Sequence, residues 1–257
     1  MRPAVHLTRG LDVGDVPPTP TERAACRPLG RTEMMLLGEA SRRGFPVAFA
    51  REQGGALVQN IYPVRESEAR QISSSSRAQL GLHTEAAFHE HRPSEVLLLC
   101  LRGDPAAATT YAEADEIAAM LGPEALAALS QRRFLTSVDE SFMANGEPDS
   151  LTTCSVMTSR GGSWRIRYDE ELMRGADPEA EGALSDLARA VRAATRSVTL
   201  ERGDLLVLDN TRVVHGRSAF AARYDGTDRW LQRALSSDRL PPEGRAVVCA
   251  IVLGADG

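Results

Sequence analysis

Cysteine is sparse in this 257-residue chain: Cys26, Cys100, Cys154 and Cys249 are far apart, and no CxxC pair occurs. That spacing disfavours a disulfide framework or a zinc site. Three of the four stand in apolar runs, which predicts buried free thiols. No segment approaches the roughly 18 consecutive apolar residues that a membrane span needs. The N-terminal MRPAVHLTRGLDVGDVPPTPT lacks the apolar stretch of a secretory signal, so a cytoplasmic location and no membrane partner are expected. The formal charge is −5 and the arginines are scattered, which gives no electrostatic footprint for nucleic acid. Histidine is scarce too, with five in all, yet three fall within GLHTEAAFHEH at positions 81 to 91.

The rest of the chain has the composition of a globular domain, 42% hydrophobic and 25% charged. Residues 1–20, rich in Pro, Gly and Asp, are expected to form a loose N-terminal tail, and 21–257 a single domain. A helix interrupted near Pro28 and Gly30 is predicted to end at Gly44. Strand-like runs follow around 47–50, 56–64, 78–85 and 95–103, with the polar RQISSSSRA between the second and third. Residues 113–131 predict two short helices broken at Gly122-Pro123. In 181–197, Leu184, Leu187, Ala188 and Val191 recur at helical spacing. RRFLTSV, SLTTCSVMT, SWRIRYD, VTL, DLLVLDN, RWLQRALS and RAVVCAIVLG are all strand-like. Many short strands with inserted helices suggest a β-sandwich or barrel decorated by helices. Strands and helices do not alternate, which argues against a doubly wound sheet.

On a strand, residues i and i+2 share a face, so His83 and Glu85 project together, while His89 and His91 lie past the strand end. A facial-triad Fe(II) centre takes two imidazoles and one carboxylate and keeps positions open for substrate and oxygen. The third ligand is sought among the remaining histidines. His6 lies in the expected tail, whereas His215, in LLVLDNTRVVHGRSAF, follows an apolar strand and is the better candidate. Beyond it, Arg229 and Arg233 in RYDGTDRWLQRAL are placed by alternation on one face, beside Trp230 and Leu231. Buried guanidinium groups need anionic partners, and a carboxylate fits one in a bidentate pair. A dicarboxylate cosubstrate is a natural ligand for such a pair.

LHTEAAFHEHRPSEVLLLCLRG followed by VLDNTRVVHGRSAFAARYDGTDRWLQR resembles the clavaminate synthase-like Fe(II)/2-oxoglutarate oxygenases, in the branch of the asparagine oxygenases and arginine β-hydroxylases. The resemblance covers roughly residues 45–253, and His-x-Glu in place of His-x-Asp marks the branch. It implies a double-stranded β-helix, or jelly roll, flanked by helices. It implies Fe(II), 2-oxoglutarate and O2, with His83, Glu85 and His215 as iron ligands. By the same carry-over, Arg229 pairs with the distal 2-oxoglutarate carboxylate, helped by Thr110, and Arg233 lies near substrate or cosubstrate carboxylates. Asp169 faces the substrate, Ser73, Ser74 and Gln53 line its pocket, and Glu85 accepts a hydrogen bond from its amine. The implied reaction is hydroxylation of a small-molecule amino acid such as Arg, Asn or Lys at Cβ, in specialised, antibiotic-type metabolism.

Three alternatives remain at this level. The same site could desaturate its substrate, and the amino acid could be free or tethered to a carrier protein. A non-redox cupin-like jelly roll, binding another metal as an isomerase or sensor, would use the same three ligands without releasing succinate. A carboxylate at position 85 fills the place a halide would need, which disfavours halogenation.

Overall fold

The computed structural model describes residues 2–22, 30–139, 142 and 151–239. In chain order it forms β1 (Val5–Thr8), α1 (Arg31–Arg43), β2 (Phe45–Val47), β3 (Val58–Ile61), β4 (Leu80–His83), β5 (Glu95–Arg102) and β6 (Thr109–Glu113). There follow α2 (Ala114–Ala119), α3 (Pro123–Leu129), β7 (Phe134–Thr136), β8 (Thr152–Cys154), β9 (Met157–Arg160), β10 (Ser163–Ile166) and β11 (Met173–Gly175). The described chain closes with α4 (Pro178–Ala194), β12 (Arg196–Val198), β13 (Leu205–Asp209), β14 (Val213–Arg217) and β15 (Trp230–Ser237).

The protein is mainly β with helices, and the apolar pattern of single strands explains its layers. β5 is buried on both faces, which is why it lacks the usual apolar-polar alternation. Leu97, Leu99 and Leu101 pack outward with Leu36, Leu37 and Ala40 of α1. Val96, Leu98 and Cys100 pack inward with Leu206, Leu208, Val213 and Leu231. β5 is central in a six-stranded sheet ordered β1-β13-β5-β15-β2, with β3 also on β15. The second sheet, β12-β6-β14-β4, has four strands. Its outer face gives Leu82, Ala112 and Val214 to a third core with α2, α3 and α4. The succession is therefore helix, sheet, sheet, helices.

Local signals set the helix ends. Asp177 caps α4 by accepting a hydrogen bond from the Ala180 N–H at 3.1 Å, ahead of Pro178 at the first helical position. The buried stripe Ala180, Leu184, Leu187 and Val191 then follows the helical repeat. α1 begins at Arg31, where Glu33 accepts from the Gly30 N–H at 3.0 Å. The break expected at Gly122-Pro123 falls between α2 and α3, with Pro123 the first residue of α3, and Gly44 follows the end of α1.

Two expectations need correction or limit. Within the expected 1–20 tail, the described residues 2–20 are not loose: β1 pairs antiparallel with β13, and Arg102 donates to the Pro17 carbonyl oxygen at 3.1 Å. Strand pairing uses backbone groups, which a Pro- and Gly-rich composition does not remove. The interrupted turn before Arg31, the strand expected at RAVVCAIVLG, Cys26 and Cys249 lie outside the described residues. Cys100 and Cys154 are buried free thiols, as their apolar settings predict. Among the described residues, no helix is long and apolar enough to cross a membrane.

Candidate metal centre

β14 carries Val213, His215 and Arg217 on its inner face, because Val214 between them packs into the helical layer. β4 pairs with it antiparallel, placing His215 opposite His83. The register slips by one residue before Arg217 meets Leu80. Gly216 sits at the slip. A Cβ there would stand 2.5 Å from the Leu80 carbonyl oxygen and 3.0 Å from that of Gly81, so the close approach of the strands requires glycine. β4 ends at His83, and Glu85 lies in the following turn.

The result is convergence. One ligand atom each from His83, Glu85 and His215 lies within 4.8 Å of the others. The imidazole centroids are 4.6 Å apart, and His215 Nε2 is 3.9 Å from Glu85 Oε2. His83 Nδ1 is 2.9 Å from the Gly81 carbonyl oxygen, which orients the ring and leaves Nε2 for a ligand. Burial, then the charges of His83 and Arg233, push His215 well below the ordinary imidazole range and hold it in the neutral, metal-binding form. Burial pushes the Glu85 carboxyl upward, and the Arg233 guanidinium opposes that shift. Two imidazoles and a carboxylate, close together and largely withdrawn from water, fit a facial-triad Fe(II). His89 and His91 take no part. His89 packs edge-on against Phe49, with ring centroids 5.2 Å apart.

The triad opens into a cavity of about 370 Å³ between the two sheets. Thr109, His215 and Arg217 line it from one sheet, and Ile61, Leu98, Leu231 and Arg233 from the other. Arg229, just before β15, is 6% exposed and donates to Thr109 Oγ1 at 3.2 Å. Burial pushes its guanidinium down to about 10, and among the described residues it has no carboxylate within ion-pair distance. Arg233 is different. It donates to Glu85 Oε2 and to Gln59 Oε1, both at 2.9 Å, and to Glu52. Burial works against its charge, but the two neighbouring carboxylates outweigh burial and raise its pKa. Arg217 is spent on the 75–78 segment: it donates to the Ser75 carbonyl at 2.5 Å, to Ser75 Oγ at 3.0 Å and to the Ala78 carbonyl.

Several expected contacts shift by one residue. Thr109, not Thr110, meets Arg229. Thr110 stands opposite Gly216, on the face that Ala112 and Val214 turn to the helices, while Thr109 stands opposite Arg217 on the cavity face. Gln53 is exposed and donates to the Asn60 carbonyl oxygen at 3.3 Å; its neighbour Glu52 lines the cavity. Ser73 lines the cavity with Gln71 and Ile72, whereas Ser74 turns its carbonyl to the Val64 N–H at 2.9 Å and is not in the wall. Asp169 is in the wall, bridged to His83, and its Oδ1 accepts from the N–H groups of Glu171 and Leu172 at 3.0 and 2.9 Å. Burial raises its pKa, against the pull of His83 and those two bonds. Glu171, two residues on, joins it in the wall. Glu52, Thr109, Glu171, Arg217 and Asn210 were not singled out by the sequence; Glu52 and Thr109 adjoin residues that were, Arg217 shares a strand face with His215, and Glu171 lies in the turn that follows Asp169.

Comparison with known proteins agrees with this geometry. Residues 15–235 match the family described as "Taurine catabolism dioxygenase TauD, TfdA family". The chain is 37% identical over 237 residues to L-lysine 3-hydroxylase of Catenulispora acidiphila, covering 89% of this chain and 65% of that protein. It thus spans just under two thirds of that relative's length. Among solved structures, asparagine oxygenase in complex with Fe(II), 2S,3S-3-hydroxyasparagine and succinate superposes with a TM-score of 0.85 at 34% identity, covering 91% of this chain and 74% of that one. The non-heme iron oxygenase OrfP in complex with Fe and alpha-ketoglutaric acid (2-oxoglutarate) has a TM-score of 0.83 at 33% identity, with 93% and 76% covered. By sequence match and by superposition, the chain belongs to the TauD/TfdA dioxygenase family.

Proposed function

We propose that this protein is an Fe(II)- and 2-oxoglutarate-dependent dioxygenase that hydroxylates an amino acid bearing a cationic or amide side chain, built on a double-stranded β-helix. The observation that carries the reading is the juxtaposition of a buried His-Glu-His cluster with the unpaired guanidinium of Arg229 in one cavity. His83, Glu85 and His215 hold the metal. When bound, iron with 2-oxoglutarate supplies oxygen activation: one oxygen atom of O2 enters succinate as CO2 leaves, and the other becomes the substrate hydroxyl.

The chain's own work is orientation and water exclusion. Arg229 receives the distal carboxylate of 2-oxoglutarate, with the Thr109 hydroxyl beside it. Leu98, Leu231 and Ile61 give this side of the cavity an apolar wall, and an ion pair shielded from water is stronger. Arg233 fixes the Glu85 carboxylate, and Glu52 and Glu85 on either side of it offer oxygen atoms to a substrate ammonium. Asp169 and Glu171 favour a donor-bearing side chain, with Ser73 and Gln71 on the neighbouring wall. Relatives named as lysine 3-hydroxylase, asparagine oxygenase and L-ornithine/L-arginine 3-hydroxylase support an amino acid of this kind and support Cβ as the target. A free amino acid is the simpler substrate for a cavity of about 370 Å³; a carrier-tethered one would need an opening for its linker.

The test is a panel of amino acids incubated with Fe(II), 2-oxoglutarate and O2, scored by succinate release and by a product mass gain of one oxygen. Coupled succinate and hydroxylated product from Lys, Arg or Asn is the expected result. Metal binding without succinate from any member would instead favour the non-redox, cupin-like alternative.

A further inference from the structure

β4 and β14 stop pairing at His83, so the strand ladder does not by itself hold Glu85. A side chain does. Asn210, in the turn between β13 and β14, is 0% exposed. Its Oδ1 accepts from the Glu85 N–H at 2.6 Å, and its Nδ2 donates to the Glu85 carbonyl oxygen at 3.1 Å. The same Nδ2 donates to the Pro93 carbonyl oxygen at 2.9 Å. One amide thus grips both backbone groups of the carboxylate ligand and closes the loop that follows it, with both N–H bonds and the carbonyl used.

The turn that presents Asn210 is itself fixed. The Asn210 N–H donates to the Ser94 carbonyl and the Asp209 N–H to that of Ala4, each at 2.8 Å. The Thr211 N–H donates to Asp209 Oδ1 at 2.9 Å, and the Arg212 N–H to the Asp209 carbonyl at 2.9 Å. From this turn the chain runs directly into β14 and His215. Asn210 therefore stands on the same hairpin as one ligand and grips the backbone of another. Arg233 holds the far end of Glu85, at Oε2. The carboxylate is located at both ends by groups that do not touch a metal.

Building on the triad as an iron site, we propose that Asn210 is a positioning residue: it docks Glu85 onto the β13–β14 hairpin and so sets the spacing of Glu85 from His215. Groups behind metal ligands change metal affinity by about 10- to 100-fold when removed, and a buried amide that merely stabilises a turn does not. The experiment is an anaerobic Fe(II) titration, with Co(II) absorption spectra, on wild type, Asn210→Ala, Asn210→Asp and Thr211→Val. All are measured well below their melting temperatures. Asn210→Ala is expected to weaken Fe(II) binding by 10- to 100-fold and to alter the Co(II) spectrum. Asn210→Asp keeps the acceptor for Glu85 N–H but loses both donors, and is expected to fall between. Thr211→Val, which removes the Thr211 hydroxyl's 2.6 Å hydrogen bond to Asp209 Oδ1 and so loosens the same turn without touching Glu85, is expected to keep wild-type affinity. A folded Asn210→Ala with wild-type affinity and spectrum overturns the proposal. Should that variant fail to fold, wild-type affinity in Asn210→Asp overturns it equally. Failure of the wild type to bind either ion would instead remove the metal-site reading itself.

Discussion

Replacing Arg229 by methionine separates a ligand anchor from a structural arginine. The guanidinium is 6% exposed, its one hydrogen bond among the described residues is to Thr109 at 3.2 Å, and burial lowers it to about 10. At about 1.4 kcal/mol per pKa unit, that drop means burial disfavours the charge by about 3 kcal/mol. A methionine of similar length relieves this while still filling space, and such replacements of buried charge are commonly neutral or stabilising by roughly 1–4 kcal/mol. The apo variant should therefore melt no lower than wild type. With 2-oxoglutarate the sign reverses. Removing one partner of a buried, hydrogen-bonded charge pair costs about 2–5 kcal/mol, or about 30-fold to a few thousand-fold in affinity. Calorimetric melting of the apo protein and an anaerobic titration of 2-oxoglutarate into metal-loaded protein measure the two effects. A cosubstrate affinity within threefold of wild type, or a fall of several degrees in Tm with affinity retained, would refute the reasoning.

His215→Ala removes one of three metal ligands; tight Fe(II) binding and succinate formation should be lost together, as a metal titration and a turnover assay will register. Thr109→Val should weaken 2-oxoglutarate by about 10- to 150-fold, the worth of about one hydrogen bond to a charged group, and Thr110→Val should not, because its side chain faces the helices; KM values for the two variants decide. Arg217→Met frees the 75–78 segment from three hydrogen bonds, so the neighbouring Gln71–Ser73 wall should loosen. The expected signature is a raised KM for the amino acid, with that for 2-oxoglutarate little changed, and faster proteolysis after Arg77.

Much of this site was legible because its signals are local. His83 and His215 each sit at a strand position whose i±1 neighbours are apolar or small, and a facial triad needs few residues of few types. Arg229 and Arg233 were paired by alternation, and both reach the cavity. The positions carried over from the resemblance are less exact: Thr110 stands one residue from Thr109, a slip that on a strand reverses the face. The same slip put Gln53 for Glu52, where a turn with Gln53 at φ 46° turns its side chain outward. Asn210 was hidden for another reason. Asp-Asn after an apolar strand signals a turn, but which backbone an asparagine grips 125 residues away is set by tertiary docking alone. The N-terminal strand was likewise invisible, because β1 joins β13 through main-chain bonds that its composition does not advertise.

The central claim is that three side chains and one guanidinium converge on a single iron and its cosubstrate. Diffraction from anaerobic crystals carrying Fe(II) and 2-oxoglutarate, with anomalous data at the iron edge, tests it most directly. One iron bound by His83, Glu85 and His215, with a 2-oxoglutarate carboxylate on Arg229, is the expected result. Iron at any other ligand set, or a cosubstrate that leaves Arg229 untouched, would contradict it.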